Sequence, residues 1–432
     1  MRLRFESFGC ALNRGQAREL EELAAGEGHR TGAIEAEADL IVMVTCTVVQ
    51  ATENRMLARL ETLRERGRAV LVAGCMAGPQ SDRVKGACPG ALLLEPRDYA
   101  SLPGILRTLE GRPAGARARA AGGWKGPPGA PAGFACAVRA VPVADGCLGR
   151  CNFCITRLAR GKPVSRPVEE VAARVEKLVG RGCVEVRLAA QDIGIFGLDI
   201  GTGLPALVRR LCDMDGNFRL RVGMMNPESL LPVMDSLMQA IAHPKVFKFL
   251  HVPVQSGDDR VLRRMGRGHT SADFENPAKR FREAFPEGLL ATDIIVGFPG
   301  EDEAAFRRTL GLVKRARPDI LNIKAFSPRP GTPAFRMKGG AGRAVVKRRI
   351  ARLQALRRRI SLANNRRLAG TVQEVLVTEK ARKGGVLART DGYFPVLIPA
   401  DLPAGTRMRV EISGARAGFL AGKPAPVVEI KH

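Results

Sequence analysis

Between Phe134 and Pro333 six strand-like runs recur, "AVPVAD", "VEVRLAA", "FRLRVGM", "FKFLHVPV", "ATDIIVGF" and "LNIKAF", with amphipathic helical stretches such as "PVEEVAARVEKLVGRG" and "EDEAAFRRTLGLVKRA" between them. The runs are short, β-branched and apolar, whereas the intervening stretches repeat their apolar positions every three to four residues. Such alternation admits few folds. A strand, a crossover helix and a second strand in one sheet lie parallel, and six such units curl into a partial (β/α)6 barrel whose chemistry sits at the carboxyl ends of its strands. The barrel is expected over 134–342.

The segment before it, 1–111, carries four buried-strand patterns ("RLRFESF", "LIVMV", "AVLVAG", "ALLLE") and helical spacing near Asn13, Gln50 and Pro79. It reads as an open parallel-sheet α/β domain. Residues 112–133, "RPAGARARAAGGWKGPPGAPAG", are too rich in Gly and Pro for a regular element and read as a linker. A basic helix is expected over 343–368. Five strand-like runs in 369–432, "TVQEVLVTE", "GVLART", "YFPVLIP", "TRMRVEIS" and "PVVEI", form a small OB-like β-barrel, a fold common among nucleic-acid-binding proteins.

A net charge of +26 on 432 residues points to a polyanionic partner, nucleic acid being the usual one. An arginine-rich composition spread evenly over the surface is the competing explanation. Aromatics make up only 5% of the chain, so most RNA affinity is expected to be electrostatic. No apolar run reaches the length of a bilayer span, and the first residues lack the apolar stretch of a signal peptide, so a cytoplasmic protein without membrane contact is expected. In a reducing compartment clustered cysteines are metal ligands or catalytic thiols rather than disulfides.

Of ten cysteines, Cys147, Cys151 and Cys154 stand at C-x3-C-x2-C spacing just after the first barrel strand. Zinc prefers four ligands, and the nearest downstream candidate is Cys183, whereas a cubane iron-sulfur cluster holds three irons by cysteine and leaves the fourth open. Cys10, Cys46 and Cys75 follow the first, second and third strands of the N-terminal domain, so three residues distant in sequence are expected to meet at one sheet edge. Cys88, Cys136, Cys183 and Cys212 read as small buried hydrophobes.

The C-x3-C-x2-C spacing resembles that of radical S-adenosylmethionine (SAM) enzymes. "FGCALN", "TCTVVQATEN", "VAGCMA", "GCLGRCNFCITRLARG", "LHVPVQSGDDRVLRRMGRGHT", "TDIIVGFPGEDEAAF" and "FSPRPGTPA", in this order, resemble the radical-SAM methylthiotransferases over nearly the whole chain. Those enzymes join an N-terminal domain, a radical-SAM barrel and a C-terminal TRAM barrel. "LNRG", "FGLDIGTGLPALV" and "RVGMMNPESLL" are similar to the archaeal and eukaryotic branch acting on N6-threonylcarbamoyladenosine next to the tRNA anticodon. Val44, where the family usually has Asn, is a departure beside the first triplet.

The resemblance implies two 4Fe-4S clusters, a SAM-cleaving one on Cys147, Cys151 and Cys154 and a sulfur-carrying one on Cys10, Cys46 and Cys75. It also implies SAM, tRNA, an electron donor and a sulfur source. Phe153 is expected to shield the cluster. Gln191, Asp192, Asn226, Gln255 and Gly297, at strand carboxyl ends, are expected to hold SAM, with surface polar or turn residues as the plain alternative. His251 reads as a hydrogen-bonded core residue. Lys347, Arg348, Arg352, Arg358 and Arg359 are candidates for phosphate contact, with a solvated outer face as the plain alternative, and Arg389, Tyr393 and Phe394 are candidates for an RNA-facing group, with a core role for one of the two aromatics equally open. Two other functions stay open on the residues: methylthiolation of isopentenyl-adenosine in tRNA or of a ribosomal protein, and a non-catalytic iron-sulfur RNA-binding protein.

Overall fold

A computed structural model describes residues 1–111, 134 and 136–425. The expected linker 112–133 and the run "PVVEI" lie outside them.

The N-terminal domain is a five-stranded parallel sheet of β1 (Arg2–Ser7), β2 (Arg30–Thr31), β3 (Leu40–Thr45), β4 (Val70–Gly74) and β5 (Leu92–Leu94), in the order β2-β1-β3-β4-β5. β3 and β4 are buried along their whole length, which explains why both read as continuous apolar runs rather than alternating ones. The two-residue edge strand β2 has no apolar signature and is not legible from the sequence. Helices α1 (Ala11–Gly26), α2 (Gln50–Glu65), α3 (Ser81–Ala87) and α4 (Leu102–Leu109) cover the sheet.

The central domain contains β6 (Val138–Pro142), a two-residue pair β7 (Ala144–Asp145) and β8 (Val164–Ser165), then β9 (Glu185–Ala189), β10 (Arg219–Arg221), β11 (Phe249–His251), β12 (Leu289–Val296) and β13 (Ile320–Ala325). The six main strands are those expected. They form two parallel triplets, β10-β9-β6 and β11-β12-β13, joined where Leu220 bridges Val246. Their inner and helix-facing side chains make one large apolar core. Short helices α5 (Thr156–Arg160) and α6 (Val168–Val179) follow the three-cysteine loop.

The basic helix runs Arg343–Arg366 and leads into a closed barrel of β14 (Val372–Lys380), β15 (Val386–Thr390), β16 (Pro395–Ile398), β17 (Arg407–Ala415) and β18 (Leu420–Pro424). The strand closing this barrel is Leu420–Pro424, six residues before the run expected to close it.

This terminal barrel is not a separate module. Phe247, Phe249, Leu289 and Ala291, at the amino ends of central strands, share a core with Val375, Tyr393, Phe394 and Val396 of the terminal barrel. Tyr393 and Phe394 are buried, which corrects their assignment to an RNA-facing group. Arg389 is turned the same way, over the Tyr393 ring at 4.8 Å. Tyr393 Oη donates to Glu185 Oε1 at 2.6 Å, and its ring packs edge-on against Phe247 and Phe249. The residue holds a left-handed φ of 72°, a strain of about 1–3 kcal/mol that the docked ring and hydroxyl offset.

Candidate functional site

β1, β3 and β4 are adjacent, so the residues leaving their carboxyl ends converge: Cys10 follows β1, and Cys46 and Cys75 directly continue β3 and β4. Cys46 and Cys75 are buried while Cys10 is exposed. Gly9 makes the approach possible. It adopts φ +100°, and a Cβ there would lie 2.4 Å from Cys46 Cβ and 2.8 Å from its Sγ. Burial pushes the Cys46 thiol up to about 11, with Cys10 and Cys75 adding like-charge repulsion. Cys75 is also raised by burial, against the opposing charge of Arg160.

The second triplet sits on the loop after β6 and β7. Cys147, Cys151 and Cys154 are all half-buried. The loop is clamped by Asn152, whose amide donates to Met265 O at 2.8 Å and whose carbonyl accepts from Ala334 N at 2.9 Å. Burial pushes Cys147 up to about 12, with the charges of Asp192, Cys151 and Cys154 acting in the same direction. Cys151 is raised by burial too, and Arg267 Nη1 donates to its Sγ at 3.2 Å.

These environments disfavour the thiolates of Cys46, Cys75, Cys147 and Cys151 unless cationic metal compensates them, which is the requirement iron meets. Among the described residues no group of three His, Cys, Asp or Glu side chains is placed to hold a metal ion. A cubane gives each of three thiolates a different iron, so the donor chemistry of a three-cysteine set fits such a cluster.

The remaining expected site residues form one group and several single positions. Asp192, Asn226 and Gln191 gather after β9 and β10. Asp192 is buried and accepts from Asn226 Nδ2 and Ser229 Oγ, both at 2.6 Å, and Asn226 Oδ1 accepts from Arg267 Nη2 at 2.8 Å. Asp192 is thereby tied into a network reaching Cys151, and burial raises its carboxyl against those hydrogen bonds. Gln191 Oε1 is buried with no hydrogen-bond partner among the described residues. Phe153 packs edge-on to Phe298 at 6.3 Å in a small apolar cluster under the loop. Gln255 holds a left-handed φ of 71° beside Ile294. Gly297 lies against Val346 of the basic helix and donates to Glu301 Oε2 at 2.7 Å. His251 pairs with Asp293 across β11 and β12.

Three arginines absent from the sequence reading tie the triplets to their surroundings. Arg160, at the end of α5, donates from Nε to Cys75 Sγ at 3.2 Å and from Nη2 to Asn13 Oδ1 at 2.8 Å, and it pairs with Asp145. Arg329, in "FSPRPGTPA", crosses to the fully buried Glu53 of α2, which also pairs with Arg83. Arg267, in "GRGHT", serves the second triplet. Each lies in a stretch singled out for its resemblance, but an arginine in an arginine-rich chain carries no mark of its own until the partner is seen.

The exposed face of the basic helix carries Lys347, Arg348, Arg352, Arg358 and Arg359, of which Arg352 pairs with Glu303. Cys88, Cys183 and Cys212 are buried, and Cys136 is half-buried. No helix among the described residues is long and apolar enough to cross a membrane.

Comparison with known proteins places this architecture. The radical SAM superfamily model matches residues 141–313, the model described as uncharacterized protein family UPF0004 matches 2–94, and the TRAM domain model matches 366–425. A probable threonylcarbamoyladenosine tRNA methylthiotransferase of Pyrococcus abyssi is 36% identical, covering 98% of this chain and 99% of its own. The Drosophila melanogaster threonylcarbamoyladenosine tRNA methylthiotransferase is 34% identical over 97% of this chain and 76% of its own. A tRNA-2-methylthio-N(6)-dimethylallyladenosine synthase of Mycobacterium bovis is 35% identical over 89% and 78%. Among solved structures, the radical SAM methyltransferase TsrM of Kitasatospora setae has the same fold over 86% of this chain and 76% of its own, with a TM-score of 0.58 at 14% identity. A radical SAM domain implies a 4Fe-4S cluster and SAM. With all three parts matched in order and full-length relatives above 30% identity, the chain belongs to the radical-SAM methylthiotransferase family and is an enzyme of that class.

Proposed function

We propose that this enzyme converts N6-threonylcarbamoyladenosine in tRNA, next to the anticodon, to its 2-methylthio derivative. The observation that carries the reading is the end-to-end correspondence with relatives of that name, through the N-terminal domain, the barrel and the TRAM domain alike.

In this reading Cys147, Cys151 and Cys154 hold the SAM-binding cluster, and Cys10, Cys46 and Cys75 hold a second one. When bound, these groups supply the radical that activates the adenine C2 position and the sulfur that is methylated and transferred. The chain's own residues do the positioning. Phe153 closes the apolar side of the loop, and Gln191 offers its buried, unpaired carbonyl oxygen to a donor such as the SAM ammonium. Asn226 and Asp192 stiffen the loops at the barrel mouth through Arg267 and Ser229. Gln255 and Gly297 shape the mouth on its other side. Reduction of the first cluster and renewal of the transferred sulfur require an electron donor and a sulfur source. The basic helix offers its exposed cations to tRNA phosphates.

The 35% identity to a dimethylallyladenosine synthase supports a second reading, in which the same chemistry acts on a dimethylallyl-substituted adenosine. Mass analysis of tRNA nucleosides from a deletion strain separates the two. Loss of 2-methylthio-N6-threonylcarbamoyladenosine alone is expected, and loss of the dimethylallyl counterpart alone overturns the proposal.

A further inference from the structure

Among the described residues Phe335 is the one aromatic side chain that stands exposed, at 50% of its surface. It sits on a short 3-10 turn, Pro333–Arg336, directly after "FSPRPGTPA". That segment is held from both sides. Ser327 Oγ donates to Gln50 Oε1 at 3.0 Å and Arg329 pairs with Glu53, both acceptors lying on α2, the helix that follows Cys46. At the other end Ala334 N donates to Asn152 O at 2.9 Å, between Cys151 and Cys154. Ala334 and Met337, on either side of Phe335, belong to the apolar cluster that also takes Phe153, and Phe335 does not. The backbone is thus tied to the elements that carry both triplets, while the ring is left outside.

Phe335 lines two cavities. One, of about 770 Å³, lies where Gly297 and Phe326 leave the carboxyl ends of β12 and β13, and Arg343 and Lys347 of the basic helix form its cationic rim. The other, of about 600 Å³, is lined by Thr332 and Arg336. No acid lines either one. Arg336, Arg343 and Lys347 are all exposed and form no ion pair among the described residues. An accessible ring with cations on both sides, and no carboxylate between them, is complementary to an unpaired nucleotide: the base takes the face of the ring and the phosphates take the cations.

We propose that Phe335 is a stacking platform for a loop nucleotide flanking the target adenosine, with Arg336, Arg343 and Lys347 taking the neighbouring phosphates. The inference rests on the proposed function, through tRNA as the substrate, and deepens it by naming where the loop is held. The cysteines of the second triplet are half-buried, so a base whose C2 is to react beside them has to leave its stack. Extrusion takes a stacking partner away from the nucleotides on either side. A ring carried on the segment that bonds to the cysteine loop replaces that partner close to where the target base enters. Every base has a π-face, so such a platform grips the loop without demanding one sequence.

Anticodon stem-loops of one sequence, intact or with an abasic residue at either position flanking the target adenosine, are titrated against the cluster-loaded full chain. Phe335→Ala and Phe335→Leu should each weaken the intact loop by about fivefold to a hundredfold, the range of one base-aromatic stack, whereas Phe335→Trp should hold it within about threefold. One abasic loop should bind the parent more weakly than the intact loop and lose nothing further on Phe335→Ala, which identifies the stacked position; the other should still respond. Arg343→Gln/Lys347→Gln should weaken intact and abasic loops alike and make the slope of log affinity against log salt shallower by about 0.7 per cation. Equal weakening of the intact and both abasic loops by Phe335→Ala shows that no flanking base rests on the ring and overturns the proposal, as does a Phe335→Leu variant that binds like the parent. An unmoved slope in the Gln pair overturns the phosphate contacts. Iron content and unfolding temperature check the fold, and Phe335→Leu, which keeps most of the apolar volume, serves if Phe335→Ala fails. The parent keeps the two claims apart: methylthiolation of a threonylcarbamoyl loop without any effect of Phe335 overturns the platform alone, whereas a parent that binds no stem-loop overturns tRNA as the substrate and the platform with it.

Discussion

Arg160 of the barrel donates from Nε to Sγ of Cys75 in the N-terminal domain at 3.2 Å. The same guanidinium holds Asn13 and Asp145, and Asp145 accepts from Gln16 Nε2 at 2.7 Å. A helix starting two residues after the last cysteine of one triplet thus supplies the charge that faces a thiol of the other. Hydrogen bonds to cluster sulfurs help set reduction potential, and a cationic donor favours the electron-rich state. Arg160→Gln is expected to lower the potential of the cluster proposed for Cys10, Cys46 and Cys75 by tens of millivolts, about 59 mV being tenfold in a one-electron equilibrium. Arg160→Lys should recover part of the loss. Anaerobic redox titration followed by electron paramagnetic resonance, in a Cys147→Ala, Cys151→Ala, Cys154→Ala background, reads that cluster alone. An unchanged potential would remove Arg160 from any electronic role.

Gly9 tests the first triplet by geometry. Its positive φ and the 2.4 Å approach of a built Cβ to Cys46 Cβ leave no room for a side chain, and the neighbour in the way is itself a proposed ligand. Gly9→Ala should reduce iron and sulfide from about eight to about four of each per chain, the content of one cubane rather than two. SAM cleavage to 5′-deoxyadenosine should persist. Retention of about eight irons would show that Cys46 is not held by this approach.

Tyr393 makes docking of the terminal barrel sensitive to alkali. Burial, with the Glu185 charge acting in the same sense, pushes its hydroxyl up to about 12 from an ordinary 10. A group raised on folding contributes stability that is complete below its unfolded pKa. Here that contribution, about 2–3 kcal/mol for two units, is lost as pH rises from 10 through 12. Tyr393→Phe should be less stable than the parent at pH 8 and should lose less stability between pH 9 and 11. Parallel unfolding curves for the two proteins across that range would exclude Tyr393 as the titrating group.

The six principal barrel strands were legible because each is a short apolar run bounded by a helix of clear period, and the cysteine positions because a parallel sheet delivers strand ends to one edge. The docking of the terminal barrel was not. "GYFPVLIP" reads equally as an exposed aromatic patch or a core strand, and only the partners Phe247, Phe249 and Glu185, about 140 to 210 residues earlier, decide between them. Arg160, Arg267 and Arg329 were hidden for a related reason. Among 69 basic side chains, nothing local separates one that reaches a thiol or a buried carboxylate from one that faces water.

The shared core changes what truncation can show. Cutting after Leu368 would expose Phe247, Phe249, Leu289 and Ala291 to solvent, so SAM cleavage is expected to fall together with tRNA binding rather than survive it. The deletion therefore confounds RNA contact with barrel stability. Charge removal on the basic helix does not, because Lys347, Arg348, Arg358 and Arg359 are exposed and form no ion pair among the described residues. Replacing all four with Gln should leave the unfolding temperature and RNA-independent SAM cleavage unchanged. If each cation neutralises one phosphate, the slope of log affinity against log salt should become shallower by about 0.7–0.9 per cation, and affinity at low salt should fall. A slope that does not move would transfer the electrostatic contact to another face, with exposed Arg14 of α1 beside the cysteine edge as the next place to measure.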